Sequence, residues 1–304
     1  MDRIQALCRN FFWEGEENYS KAPLVAWSVL CKGKEHGGLG LQDLKLWNMA
    51  AVGKLVWWIA KKKDHMWIQW VDKIYLKGRL WMDYKPTAAS SWAWRKICEV
   101  KEKLKPAFTS GKWMSDDDEY SISDGYSWLE HTYPMVQWHR SVWNRFNLSK
   151  HNFNQWLIQQ GRLLTLDRLV QFGITQHTVC FLCGEKPETH QHIFHECIYT
   201  EQCFMQLYLW LDLPGRFQGI TDPVQMLRQR GCSGLVRLVL SSLVVALQYN
   251  IWTARNNCRV EGYVILPSVQ IKNIQKESKL RLMALDTGVL KQADVNWCRL
   301  RGLM

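Results

Sequence analysis

The chain lacks the marks of export and of a membrane protein. Its first thirty residues scatter Asp2, Arg3, Arg9, Glu14, Glu16 and Glu17 among aromatics. No basic head leads into an apolar run, so no secretory signal is expected. The most apolar stretch, Leu235 to Leu247, is 13 residues long and contains Arg237, Ser241 and Ser242. A bilayer span needs about 20 residues, so this reads as a buried helix and no membrane partner is expected. An intracellular location, nucleus or cytoplasm, follows as the expectation. Without a signal, the ten cysteines do not imply a disulfide framework and read as buried thiols and metal ligands. Internal repeats, a Gly-rich phosphate loop and a Ser-His-Asp arrangement are also missing. Acids are scarce: 28 against 39 Lys and Arg, a net charge of +11. That surplus favours an anionic partner, RNA or DNA, bound without sequence specificity.

What remains is a globular composition, with 47% apolar and 22% charged residues over 304 positions. Such a chain has room for about two domains and can bury a core without staples. Tryptophan is abundant, 18 against 10 Tyr and 10 Phe. The charge is uneven. Residues 1–110 carry 19 basic and 11 acidic side chains, a net of +8, and residues 111–140 carry 2 and 6, a net of −4. Residues 141–220 balance at 6 and 6, while residues 221–304 carry 12 and 5, a net of +7. Polyanion contacts are therefore expected from the two ends.

Helical periodicity dominates, so the fold class is mainly α. Leu41, Leu44, Trp47, Ala51, Leu55 and Trp58 fall on one stripe after a His36-Gly37-Gly38-Leu39-Gly40 turn. Ser91 to Leu104 reads as a helix stopped by Pro106, and Ser149 to Val170 as another. Phe204 to Leu211 should be helical up to Pro214-Gly215, and Leu235 to Ala254 should form a central helix. Ser268 can cap a last helix with Ile271, Ile274, Leu282 and Leu285 on its apolar side. A short strand is expected at Tyr120 to Ser123. These signals divide the chain into a helical segment 1–110, an acidic linker 111–140, a small zinc-stapled helical domain 141–220 and a basic C-terminal helical segment 221–304.

The sharpest pattern is Cys180-Phe-Leu-Cys183, then His192, then Cys197, or C-x2-C-x8-H-x4-C. A C-x2-C turn presents two thiolates to one point, and four protein ligands complete a tetrahedron with no place for a reactive water. One structural Zn2+ is therefore expected. His192 completes the compact spacing to Cys197; His195 and His190 are the competing ligands. Cys203 sits on a helical face with Phe204 and Leu207 and reads as core.

Around this pattern stand Trp143-Asn-Arg145, Lys150-His-Asn-Phe153, Trp156-Leu157, Arg162-Leu-Leu-Thr165, Asp167-Arg-Leu169 and Glu188-Thr-His-Gln-His192. Their order and spacing resemble the zinc-binding domain that follows the polymerase in plant LINE-type (non-LTR) retrotransposon reverse transcriptases. Phe12-Trp13-x-Gly15, Trp27, Cys31, Gly37-Gly-Leu-Gly40, Asn48, Lys54 and Trp57 resemble the segment after that polymerase's palm. Ser91-x-x-x-Arg95-Lys-Ile97, Tyr120-Ser-Ile and Gly125-Tyr-x-Trp-Leu129 resemble its connecting region, and Ile251-Trp-x-x-Arg255-Asn256 its C-terminal helix.

The resemblance implies a thumb- or connection-like N-terminal segment and a role beside a polymerase in target-primed reverse transcription, with the palm as a further partner. A polymerase site would need a Tyr-x-Asp-Asp hairpin to hold two metals, and the sequence has none, so no enzyme activity is expected of the chain alone. Met114-Ser-Asp116-Asp117 is a look-alike in an acidic turn, and Asp286-Thr-Gly288 copies an aspartic-protease tripeptide after a basic helix instead of in a strand turn. The zinc segment is neutral, so the nucleic-acid contacts are assigned to Lys61, Lys62 and Lys63 and to Lys272, Lys276 and Lys279. The competing reading is a repurposed retroelement remnant, a protein-interaction module in which zinc only holds the fold.

Overall fold

The computed structural model describes residues 2–16, 23–115, 118–212, 233–284 and 291–304. Helix accounts for 64% of the described residues and strand for 1%, so the fold is mainly α as the periodicity requires. Among the described residues extended pairing is confined to a single Val179–Pro187 bridge. The chain forms two compact units, Met1–Gly33 with Gly38–Pro134, and Lys34–Gly37 with Met135–Met304. This differs from the sequence division in two ways. Most of the expected 111–140 linker is built into the first unit, and segments 141–220 and 221–304 share the second.

The first unit holds α1 (Asp2–Glu14), α2 (Trp27–Leu30), α3 (Leu44–Ala60), α4 (Met66–Val71), α5 (Trp92–Thr109) and α6 (Ile122–Leu129). Asp43 starts α3 by accepting from the amides of Lys45 and Leu46 at 2.8 and 3.3 Å. Its most buried face is Ala50, Gly53, Val56, Trp57 and Ile59, rotated from the expected stripe. The reason is close approach: α3 packs against α5 and α6 through its small residues. Tyr120 fills the gap and donates its hydroxyl to the Ala50 carbonyl at 2.8 Å. A Cβ at Gly53 would lie 2.4 Å from that hydroxyl oxygen, and one at Gly125 only 1.7 Å away.

Tyr120 to Ser123 is not a strand. Ser121 caps α6, its Oγ accepting from the Asp124 amide at 3.0 Å, and Tyr120 and Trp113 are buried. Helix α5 also runs past Pro106 to Thr109. The proline removes one hydrogen bond in the last turn, while burial of Ala107 and Phe108 holds that turn in place. Lys101 is fully buried in α5 and donates to the Tyr84 carbonyl at 2.5 Å, with Glu102 at 2.8 Å.

The second unit holds α7 (His139–Val142), α8 (Ser149–Gln159), α9 (Leu166–Gln171), α10 (Ile198–Leu211), α11 (Gly234–Glu261), α12 (Pro267–Met283) and α13 (Gln292–Leu300). The helix expected over 149–170 is two, α8 and α9, because the chain turns at Gly161 and buries Leu163 before Thr165. Helix α11 is the hub, packed against α7, α8, α10, α12 and α13. It extends beyond the expected 235–254 and is long and apolar enough to cross a membrane by length and composition, but 61% of its most apolar window is buried inside the protein. That is the pattern of a core helix. Ser268 does not cap α12: Pro267 takes the first turn and Leu266 precedes it without a side-chain cap. Ile271, Ile274 and Leu282 are buried as expected, whereas Leu285 and Pro214-Gly215 lie outside the described residues.

Candidate metal centre

Two local structures deliver the cysteine and histidine side chains. The first is a tight hairpin. The Cys180 amide donates to the Lys186 carbonyl at 2.9 Å, the Gly184 amide to the Cys180 carbonyl at 2.9 Å, and the Glu188 amide to the Thr178 carbonyl at 2.7 Å. Gly184 sits at φ +71°, a conformation glycine adopts without strain, and so closes the turn right after Cys183. The second is a π-helical turn over His192–Glu196. Thr189 starts it, its hydroxyl accepting from the His192 amide at 3.0 Å, and the Cys197 amide closes it on the His192 carbonyl at 2.8 Å. Cys197 then stands as the N-cap residue of α10.

The Sγ atoms of Cys180, Cys183 and Cys197 and a ring nitrogen of His192 all lie within 4.8 Å of one another. His192 Nε2 is 3.3 Å from Cys183 Sγ. Tetrahedral zinc with Zn–S near 2.3 Å places its sulfurs roughly 3.8 Å apart, so this cluster closes on one ion with little movement. Three thiolates and one imidazole form a donor set suited to zinc and leave no open position. The residues fit a single structural Zn2+. The hydrogen bond from Cys180 and the amides of Thr200 and Tyr199 at the α10 N-terminus hold the Cys197 thiol below the ordinary value.

The competing residues stay out of the cluster. His190 packs on Phe194 with ring centroids 5.1 Å apart, and burial and His195 hold it below the usual imidazole range. Cys203 is fully buried in α10, and burial pushes its thiol up to about 12, so it remains a protonated core residue as expected.

An ion pair beside the cluster carries no sequence expectation. Glu188, 1% exposed, receives Arg255 of α11, also 1% exposed, through Nε at 3.0 and 3.1 Å. The same carboxylate accepts from the Leu166 amide at 2.9 Å. The Arg255 guanidinium lies 5.5 Å over the ring of Phe181, the residue after Cys180, and 5.0 Å over Trp252. The cysteine turn is thus fastened to the hub helix. A charge inside an otherwise apolar helix demands a buried counter-charge, and that signal was available at Arg255.

The two lysine groups fare differently. Lys272, Lys276 and Lys279 are all exposed on α12, on a stripe apart from its buried residues. Lys61 donates to the carbonyls of Met114 and Ser115 at 3.0 and 2.9 Å and so ties down its own fold. Lys62 and Lys63 are exposed. The look-alike carboxylates Asp116, Asp117 and Asp286 lie outside the described residues.

A closed Cys3His site in a helical scaffold defines a structural zinc module. Residues 120–204 match the family model for zinc-binding in reverse transcriptase. A stretch of 96 residues, 30% of this chain, is 31% identical to the "Putative ribonuclease H protein" of Arabidopsis thaliana, and the match spans 16% of that protein. Both findings agree with a retrotransposon-derived protein. No solved structure matches the chain.

Proposed function

We propose that the chain is a non-catalytic, nucleic-acid-binding accessory portion of a LINE-type retrotransposon reverse transcriptase, in which zinc holds the fold and lysines hold phosphate. One observation carries the reading: the closed Cys3His cluster lies within the stretch that matches the reverse-transcriptase zinc-binding model. The metal supplies no chemistry beyond cross-linking, since four protein ligands leave no water to activate. The exposed Lys272, Lys276 and Lys279 stripe supplies contact charge on a helix anchored by Ile271 and Ile274. The work assigned to it is handling of the RNA template or DNA target in target-primed reverse transcription, in nucleus or cytoplasm, beside a polymerase palm on the parent protein.

Each neutralised phosphate on a single strand releases about 0.7 counterion, so affinity for a 20-nucleotide single-stranded RNA should fall steeply with salt. Replacing Lys272, Lys276 and Lys279 together by Gln should weaken binding and lower the log–log salt slope by up to about 2. Fluorescence anisotropy over a salt series measures both. Failure of the parental chain to bind at low salt would sink the proposal in favour of a structural or protein-interaction module.

A further inference from the structure

We propose that a cleft in the first unit, between the C-terminal end of α3, α4 and the 76–83 segment, is a site for single-stranded nucleic acid, gripping phosphates through Lys62, Lys63, Lys77 and Arg79. The inference rests on the nucleic-acid reading above and gives it a place. The cleft has a volume of about 630 Å3, within the roughly 300–1,000 Å3 typical of ligand-holding clefts. Ile59, Ile68, Leu76 and Trp81 give it an apolar floor, and Lys62, Lys63 and Arg79 line it.

The flanks of the cleft, rather than its lining, carry the basic excess that favours a polyanion. Among the described residues Lys62, Lys63 and Arg79 make no ion pair. In the lining itself Lys62, Lys63 and Arg79 are matched in number by Asp64, Asp72 and Asp83; Asp83 faces Lys105, outside the lining, at 3.6 Å, and Asp64 accepts from the Gln69 side-chain amide at 3.2 Å. Lys73, Lys77 and Lys85 flank the cleft, so residues 61–85 carry seven basic against three acidic side chains.

Backbone strain points to the same place. Four non-glycine residues adopt positive φ among the described residues, and three of them border this cleft. Lys62, at φ 48°, lines it; Lys77, at φ 50°, lies between the lining residues Leu76 and Gly78; Trp113, at φ 61°, precedes the lining residue Met114. Lys62 follows the last turn of α3, its amide donating to the Ile59 carbonyl at 3.2 Å and that of Lys63 to Trp58 at 3.1 Å. Lys77 closes the 72–76 turn on the Asp72 carbonyl at 2.7 Å. Glycine fits both positions without strain and is the common choice after a helix. Lysine at position 62 gives up stability where its residue lines the cleft, Lys77 does so on the adjoining rim, and strain of this kind gathers at ligand clamps. The buried Trp81 indole N–H, without a hydrogen-bond partner among the described residues, is a further polar group on this floor.

The test uses the zinc-loaded full chain and a fluorescein-labelled oligothymidylate of 20 nucleotides. The Lys62→Gly, Lys77→Gly double variant should melt about 2–4 °C higher because the strain is removed. It should bind about tenfold more weakly, with a salt slope lower by about 1.4 for two lost phosphate contacts. Lys63→Gln with Arg79→Gln, which leaves the strained positions untouched, should weaken binding to a similar degree and decides the matter if the glycines disturb the fold. If the parental chain binds and both variants match it in affinity and slope, the cleft is overturned while the nucleic-acid reading stands. If the parental chain does not bind the oligonucleotide at low salt, that reading fails and the cleft with it.

Discussion

At the level of single residues, the centre separates what recruits the metal from what supports the recruiter. Cys183→Ser should abolish stoichiometric zinc, measured by metal analysis of the purified chain, and speed amide exchange over residues 175–205, because binding and local folding are coupled. Zinc retained at one per chain would contradict the ligand set. Arg255 tests the support. Removing one partner of a buried ion pair leaves an uncompensated charge, so Arg255→Met should cost about 3–5 kcal/mol in urea unfolding. Adding Glu188→Gln should recover part of that loss, since a neutral amide is cheaper to bury than a carboxylate. The four ligands were legible in the sequence because their chemistry is bound to their spacing. Compact spacing to Cys197 prefers His192 over His190 and His195, and the π-helical turn over His192–Glu196 is what brings that imidazole to the cysteines. The sequence reads Lys61 only as a phosphate contact, but a lysine at a helix end can also hold carbonyls, and in the fold Lys61 donates to those of Met114 and Ser115.

At the level of elements, periodicity found most of the helices and misjudged their faces and ends. The buried face of α3 turned on Ala50 and Gly53, which hydrophobic periodicity scores weakly but close packing prizes. The strand expected at Tyr120 failed because a serine three residues before an aspartate is also a helix start, and that signal won. Gly125→Ala tests this packing. The new Cβ would collide with the Tyr120 hydroxyl, so a loss of about 3 kcal/mol is expected, at the upper end for overpacking. Combining it with Tyr120→Phe should restore some of the stability by removing the clashing oxygen, and strict additivity in thermal unfolding would argue against the contact. The helix through Pro106 marks the other limit of local rules: a breaker near a terminus yields to burial of its neighbours.

At the scale of the molecule, charge segregation carried the furthest. The basic ends and neutral middle, visible from composition, correspond to an exposed lysine stripe on α12 and a lysine-rimmed cleft in the first unit. The partition into units was less legible. Composition breaks at Ser110 suggested a linker, but a polar acidic run can still deliver Trp113 and Tyr120 to a core. Nor could spacing show that the C-terminal hub helix closes over the zinc turn.

That closure bears on modularity. The region that sequence comparison recognises ends at residue 204, yet the only cation paired with its buried Glu188 among the described residues arrives from residue 255. A fragment cut at the recognised boundary would keep every zinc ligand and still leave a carboxylate stranded in an apolar setting. It should take up metal yet lack cooperative unfolding, whereas a fragment from 135 to 304 should show both. In such a protein the piece that inheritance preserves as a pattern is smaller than the piece that physics can fold.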